Sequence, residues 1–193
     1  MTRPTADTLA AAAKAASKDR GLPPVHLWNP PFCGDIDMRI ARDGTWFYLG
    51  TPIGRAPLVK LFSSILKREG DSYFLVTPVE KVGIQVDDAP LLAVDFEAEG
   101  TGRDQKLHFV TRTEDRAIAG PDHPIRVERA ANGEPSPYIL IRSNLWALID
   151  RKSFYRLVDL GCHEGHEGDS WFGLWSDGSF FPVIPSAELP HTP

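Results

Sequence analysis

Cysteine is scarce in this chain: its 193 residues include two, Cys33 and Cys162, far apart and outside any CxxC spacing. That excludes a disulfide scaffold and a paired-thiol redox or zinc motif, and it fits a reducing cytoplasm better than an export compartment. Long apolar runs are missing too. No segment approaches the roughly 18 apolar residues of a membrane helix, and the N-terminus has no charged-then-apolar signal pattern, so no membrane partner is expected. Basic charge is in deficit, with 21 Lys and Arg against 26 Asp and Glu and a net charge of -5. The deficit runs through both halves, which argues against a nucleic-acid partner. GxGxxG, Walker-type GK[ST], HExxH and GxSxG are all absent, so the chemistry those motifs carry has no support. These absences leave no cofactor and no catalytic residue to name.

What is present is a composition able to build a core, 42% hydrophobic and 24% charged, arranged as a pattern that occurs twice. Near residues 35–77 a strand with Ile36, Met38 and Ile40 turns at Asp43-Gly44 into Trp46-Phe47-Tyr48-Leu49. A helix with Leu58, Leu61, Phe62, Ile65 and Leu66 follows, then the strand Ser72–Val76. Near 124–176, Ile125 and Val127 pass an Asn132-Gly133 turn into Tyr138–Ile141, a helix with Phe154, Leu157 and Val158, and Ser170–Trp175. Turns of the Asn-Gly and Asp-Gly type between alternating strands mark hairpins, and the 3.6-residue stripes mark helices. The fold class expected is α+β, a strand-dominated duplicated core of two antiparallel β subdomains, each packed by one helix.

The domain bounds expected are an Ala-rich helix in 1–20, a first β-rich subdomain over 21–117, a second over 118–184 and a tail over 185–193. The helix, Thr5 to Lys18, offers a single Leu as anchor and should dock weakly or belong to a partner. Gly21-Leu-Pro-Pro and Trp28-Asn-Pro-Pro read as an extended strap over the first subdomain. Strands at 91–98 and 106–112 pair across Gly100–Asp104, and the turn-rich stretch Asp115–Pro124 reads as the boundary. A helix from about 150 to 161, a Gly- and His-rich loop and a hairpin at Asp177-Gly178 complete the chain.

Candidate functional residues follow from the repeat, because seams between subdomains favour ligands. Thr51, Arg55 and Lys60 surround a helix start, where free N–H groups and the helix dipole suit a phosphate or carboxylate. The competing reading is a plain strand-to-helix connection with a solvent-facing Arg. Arg142, Ser143, Asn144 and Trp146 are read as the matching point of the second copy, with the Trp46 and Trp146 rings as stacking surfaces or, more commonly, core. Asp35 and Asp37 share a strand face with Arg39 and have the spacing of an acid pair, but cross-strand ion pairing accounts for them more simply. Cys162, His163 and His166 have metal-ligand side chains without the second pair a structural zinc site needs, so no metal is assigned.

The run Cys33–Arg55, CGDIDMRIARDGTWFYLGTPIGR, followed by Leu58–Leu66, LVKLFSSIL, resembles the bacterial domain of unknown function 1285 family. The resemblance continues through Tyr73–Val86, His123–Val127 and Asn144–Ile149, and spans about Trp28 to Phe181. It implies a duplicated core whose C-terminal half is pleckstrin-homology-like, and a nucleotide-like ligand at the domain interface in a signalling role. It implies no catalytic residue. The function expected is therefore a non-enzymatic cytoplasmic sensor of a small anionic ligand, nucleotide-based among the candidates, using Trp46, Thr51, Arg55, Lys60, Arg142, Asn144 and Trp146. The alternatives are a protein-interaction module with a protein partner and a hydrolase or transferase acting on such a ligand, with Asp35, Asp37 and Glu80 as first suspects.

Overall fold

The computed structural model describes residues 4–17 and 21–189. Lys18, at the end of the expected N-terminal helix, and the tail beyond 189 lie outside them. The chain divides into two units, Met1–Pro90 and Leu91–Pro193.

The first unit opens with α1 (Ala6–Ala16). Thr5 caps it reciprocally, its hydroxyl accepting from the Thr8 N–H at 3.3 Å while the Thr8 hydroxyl accepts from the Thr5 N–H at 2.9 Å, which satisfies two groups a helix start leaves open. Leu9 and Ala13 are fully buried, and α1 packs on the unit's second helix, so this helix belongs to the unit itself. Then come β1 (Phe32–Ile40), β2 (Trp46–Tyr48), β3 (Thr51–Pro52), α2 (Ala56–Ser64), β4 (Leu66–Glu69), β5 (Ser72–Val76) and β6 (Lys81–Val86). They form one sheet in the order β3-β2-β1-β6-β5-β4. Two three-stranded meanders are joined through α2, and such a crossover brings β1 beside β6 in parallel while every other pair is antiparallel. Met38, Ile40, Trp46, Leu75 and Val82 are buried, and Phe62 of α2 stacks on Trp46 at 6.3 Å. Burying rings of this size contributes about 4–6 kcal/mol each as an upper bound.

The second unit repeats that order after an added meander. β7 (Leu91–Glu99), β8 (Lys106–Thr111) and β9 (Arg116–Ile118) come first. β10 (Ile125–Arg129), β11 (Pro135–Arg142), β12 (Leu145–Ile149), α3 (Arg151–Val158), β13 (Cys162–His166), β14 (Asp169–Ser176) and β15 (Ser179–Pro185) follow, again three strands, a helix and three strands. One sheet runs β10-β11-β12-β7-β8-β9 and another β13-β14-β15. β10 touches β15 without the hydrogen-bonded pairing that joins β1 to β6. The copies share their hairpin chemistry. Ala41 N–H donates to Thr45 C=O and Ala130 N–H to Glu134 C=O, at 2.9 and 3.0 Å. Asp43 and Asn132 each accept from the N–H two residues on, at 2.9 and 3.0 Å.

Three sequence expectations change. The division lies at Pro90–Leu91 and not at 117/118, because β7 pairs in parallel with β12, Leu91 opposite Ala147 and Ala93 opposite Ile149. That partner is distant in sequence and leaves no local trace. The subdomains are therefore antiparallel apart from one parallel pair each, β1 with β6 and β7 with β12. The Gly- and His-rich segment at 162–166 is not a loop but strand β13, paired with β14.

Candidate functional site

The connection β3–α2 places Thr51 and Arg55 on the surface, with Lys60 exposed on α2. Arg55 is the N-cap and its side chain caps nothing. Proline stands in the first helical turn, and the N–H groups of Leu58 and Val59 both turn back to the Arg55 C=O, at 2.9 and 3.2 Å. The donors left open are therefore the N–H groups of Gly54, Arg55 and Ala56, the N-cap and the residue on either side of it. Successive unpaired N–H groups form a concavity suited to an oxyanion.

By order of elements the counterpart of this connection is β12–α3. There Asp150 is the N-cap, and its carboxylate accepts from the Ser153 N–H at 2.8 Å. Arg142–Trp146, matched to Thr51–Arg55 on the sequence, corresponds instead to the turn between β2 and β3. Leu49 (φ 51) and Ser143 (φ 49) hold the same left-handed position in the two turns.

The remaining predicted residues are dispersed. Trp46 is 2% exposed and belongs to the core. Asn144 lies exposed in the β11–β12 turn. The Trp146 ring is covered by the Arg126 guanidinium at 4.1 Å. Arg142 donates to Asp115 at 3.0 Å, and the same carboxylate accepts from the Thr111 and Thr113 hydroxyls at 3.2 and 2.8 Å. This half-buried network secures the β8–β9 hairpin.

Asp35, Asp37 and Arg39 occupy the open face of the first sheet, where Arg39 pairs with Asp87 and Arg42 with Asp88. A groove of about 880 Å³ crosses this face over β1, β5 and β6. Its floor is Gly83, where a Cβ would meet the Asp35 carboxylate at 2.0 Å. Phe32 and Phe74 meet edge to face at 6.0 Å, and the Lys81 ammonium sits 4.9 Å over Phe74. Lys81 at 2.9 Å and Lys67 at 3.1 Å hold the Glu69 carboxyl below the ordinary glutamate range. Arg156 does the same for Asp95. These groups are ion pairs, and none is a base placed against a nucleophile. Within β13, Cys162 and His163 point to opposite faces, and the His163 Nδ1 lies 2.8 Å from the Ser186 hydroxyl. No three His, Cys, Asp or Glu side chains are grouped to hold a metal among the described residues.

Models of the N-terminal and C-terminal domains of DUF1285, a protein family of unknown function, match residues 23–89 and 90–183. The chain belongs to the DUF1285 family. The junction of the two matches, between 89 and 90, falls one residue from the structural division at Pro90–Leu91. The chain is similar to a DUF1285 family protein from Silicibacter pomeroyi DSS-3, whose crystal structure at 2.50 Å shares 64% identity over 93% of this chain and 96% of that one, with a TM-score of 0.85. A second relative, from Shewanella baltica OS155, is 36% identical over 63% of this chain and 90% of that one, with a TM-score of 0.49. No curated protein matches the chain. No helix among the described residues is long and apolar enough to cross a membrane.

Proposed function

We propose that this DUF1285 protein is a non-enzymatic sensor that takes a small anionic ligand at the entry to α2. The supporting observation is the contrast between the repeats. At the start of α3 the protein's own Asp150 carboxylate accepts a backbone N–H bond, whereas the start of α2 carries Arg55, with no side-chain cap, amid three unused N–H groups. A phosphate or carboxylate from outside would be held by the N–H groups of Gly54, Arg55 and Ala56, and Thr51, Arg55 and Lys60 would surround it. Trp46 serves the core in this reading, and Arg142, Asn144 and Trp146 belong to the second unit.

The test is a thermal-shift series with inorganic phosphate, nucleotides and phosphorylated metabolites at fixed salt. A ligand present at ~100 Kd adds about 2.7 kcal/mol and raises the midpoint by several degrees. Arg55→Ala should weaken that ligand by about 1–3 kcal/mol, the value of a charge-assisted hydrogen bond, with the unliganded midpoint unchanged. A silent panel, or a shift that survives in Arg55→Ala, overturns the assignment.

A further inference from the structure

β1 is nine residues long and β2 only three. Their pairing covers Met38, Arg39 and Ile40, and one further bond, from the Leu49 N–H to the Asp37 C=O at 2.9 Å, ends it. The chain then turns away at Leu49-Gly50. On that side no strand among the described residues pairs with Cys33–Ile36, although the other side of β1 lies against β6. A stretch of strand left open in this way presents its N–H and C=O groups as a template for another strand.

The second copy shows the inner part of this place filled, at the counterparts of Asp35 and Ile36. Its hairpin has the bonding of the first, so Ala130 corresponds to Ala41 and β10 to β1. β11, however, has eight residues where β2 has three. The added length carries the pairing on to Ile125 opposite Ile139, and then to a Leu140 N–H bond to the Pro124 C=O at 3.1 Å. In the first unit the matching space is a groove of about 490 Å³ lined by Pro4, Cys33–Asp37, Tyr48 and Leu49. Leu49 stands 64% exposed beside it, where the second copy has Ser143. Asp35 and Asp37 are exposed along the same stretch. Neither has a cationic partner among the described residues, whereas Arg39, next on that face, is paired with Asp87.

We infer that the β1 edge at Cys33–Ile36 is a docking site for an extended segment of another protein, which adds as a strand and alternates apolar residues with Lys or Arg. The open backbone supplies the ladder, Asp35 and Asp37 select the cations, and Leu49 offers apolar contact. The inference stands apart from the anion site at α2 and does not depend on it.

The probe is an acetylated, amidated peptide of three Lys-Val repeats, with a control of the same charge whose backbone nitrogens are all methylated and cannot donate. Cys33 is exposed in the groove and Cys162 lies in the other unit, so alkylation of the two thiols, followed by mass spectrometry, reports docking with an internal reference. At roughly ten Kd of peptide, Cys33 should react about tenfold more slowly by mass action, with Cys162 unaffected and the methylated control without effect. Replacing both acids, Asp35→Asn with Asp37→Asn, should weaken the peptide about fivefold, the worth of two exposed ion pairs. Unchanged Cys33 reactivity, or equal protection by the methylated peptide, overturns strand addition. Full affinity in the double variant overturns the basic character of the partner.

Discussion

Single side chains in this fold take their roles from neighbours that composition does not reveal. Trp46 and Trp146 both stand in short apolar strands, yet one is sealed against Phe62 and the other lies under a guanidinium. Glu69 is a similar case, because the two ammonium groups beside it stabilise its charged form in the folded state only. A carboxyl lowered by folding contributes stability above its unfolded pKa, and the contribution disappears as the pH falls through the folded value. Lys81→Met should therefore raise the Glu69 titration toward the ordinary range and flatten the acid-side decline in stability. Carboxyl-carbon NMR titration together with urea midpoints at several pH values would show both, and an unmoved Glu69 titration would contradict the assigned cause. The pair is partly exposed, so the effect on stability is small.

Among elements, the two helix starts make the sharpest comparison. Asp150→Ala should cost about 1 kcal/mol, the ordinary value of a cap, while Arg55→Ala costs nothing measurable because Arg55 caps nothing. Urea unfolding of the two variants checks this, and equal losses would refute it. Much of this level was legible in the chain. Asp43-Gly44 and Asn132-Gly133 determine their hairpins through side-chain and backbone bonds within five residues, so local sequence suffices. The stripe through Leu58, Leu61 and Phe62 likewise marked α2. What failed was alignment of the copies. β11 is longer than β2, which shifted Arg142–Trp146 onto Thr51–Arg55, although the first lies at a strand turn and the second at a helix start. β13 was missed for another reason: a strand of Cys, His, Glu, Gly and His has no apolar alternation to show.

At the scale of the molecule, the boundary depends on a pairing between β7 and β12 that no local pattern announces. Each unit carries its own buried set, from Leu9 to Ala89 in the first and from Leu91 to Val183 in the second, as independent folding requires. A fragment of residues 91–193 should therefore unfold in one cooperative urea transition. A fragment of 118–193, cut where the sequence pattern suggested, lacks the strand that covers β12 and should show none. A cooperative 118–193 fragment would restore the earlier boundary. The same pairing affects how the protein is made. Leu91, Leu92 and Ala93 leave the ribosome long before Ala147, Leu148 and Ile149 exist, so at about 5–20 residues per second this apolar strand waits several seconds without its neighbour.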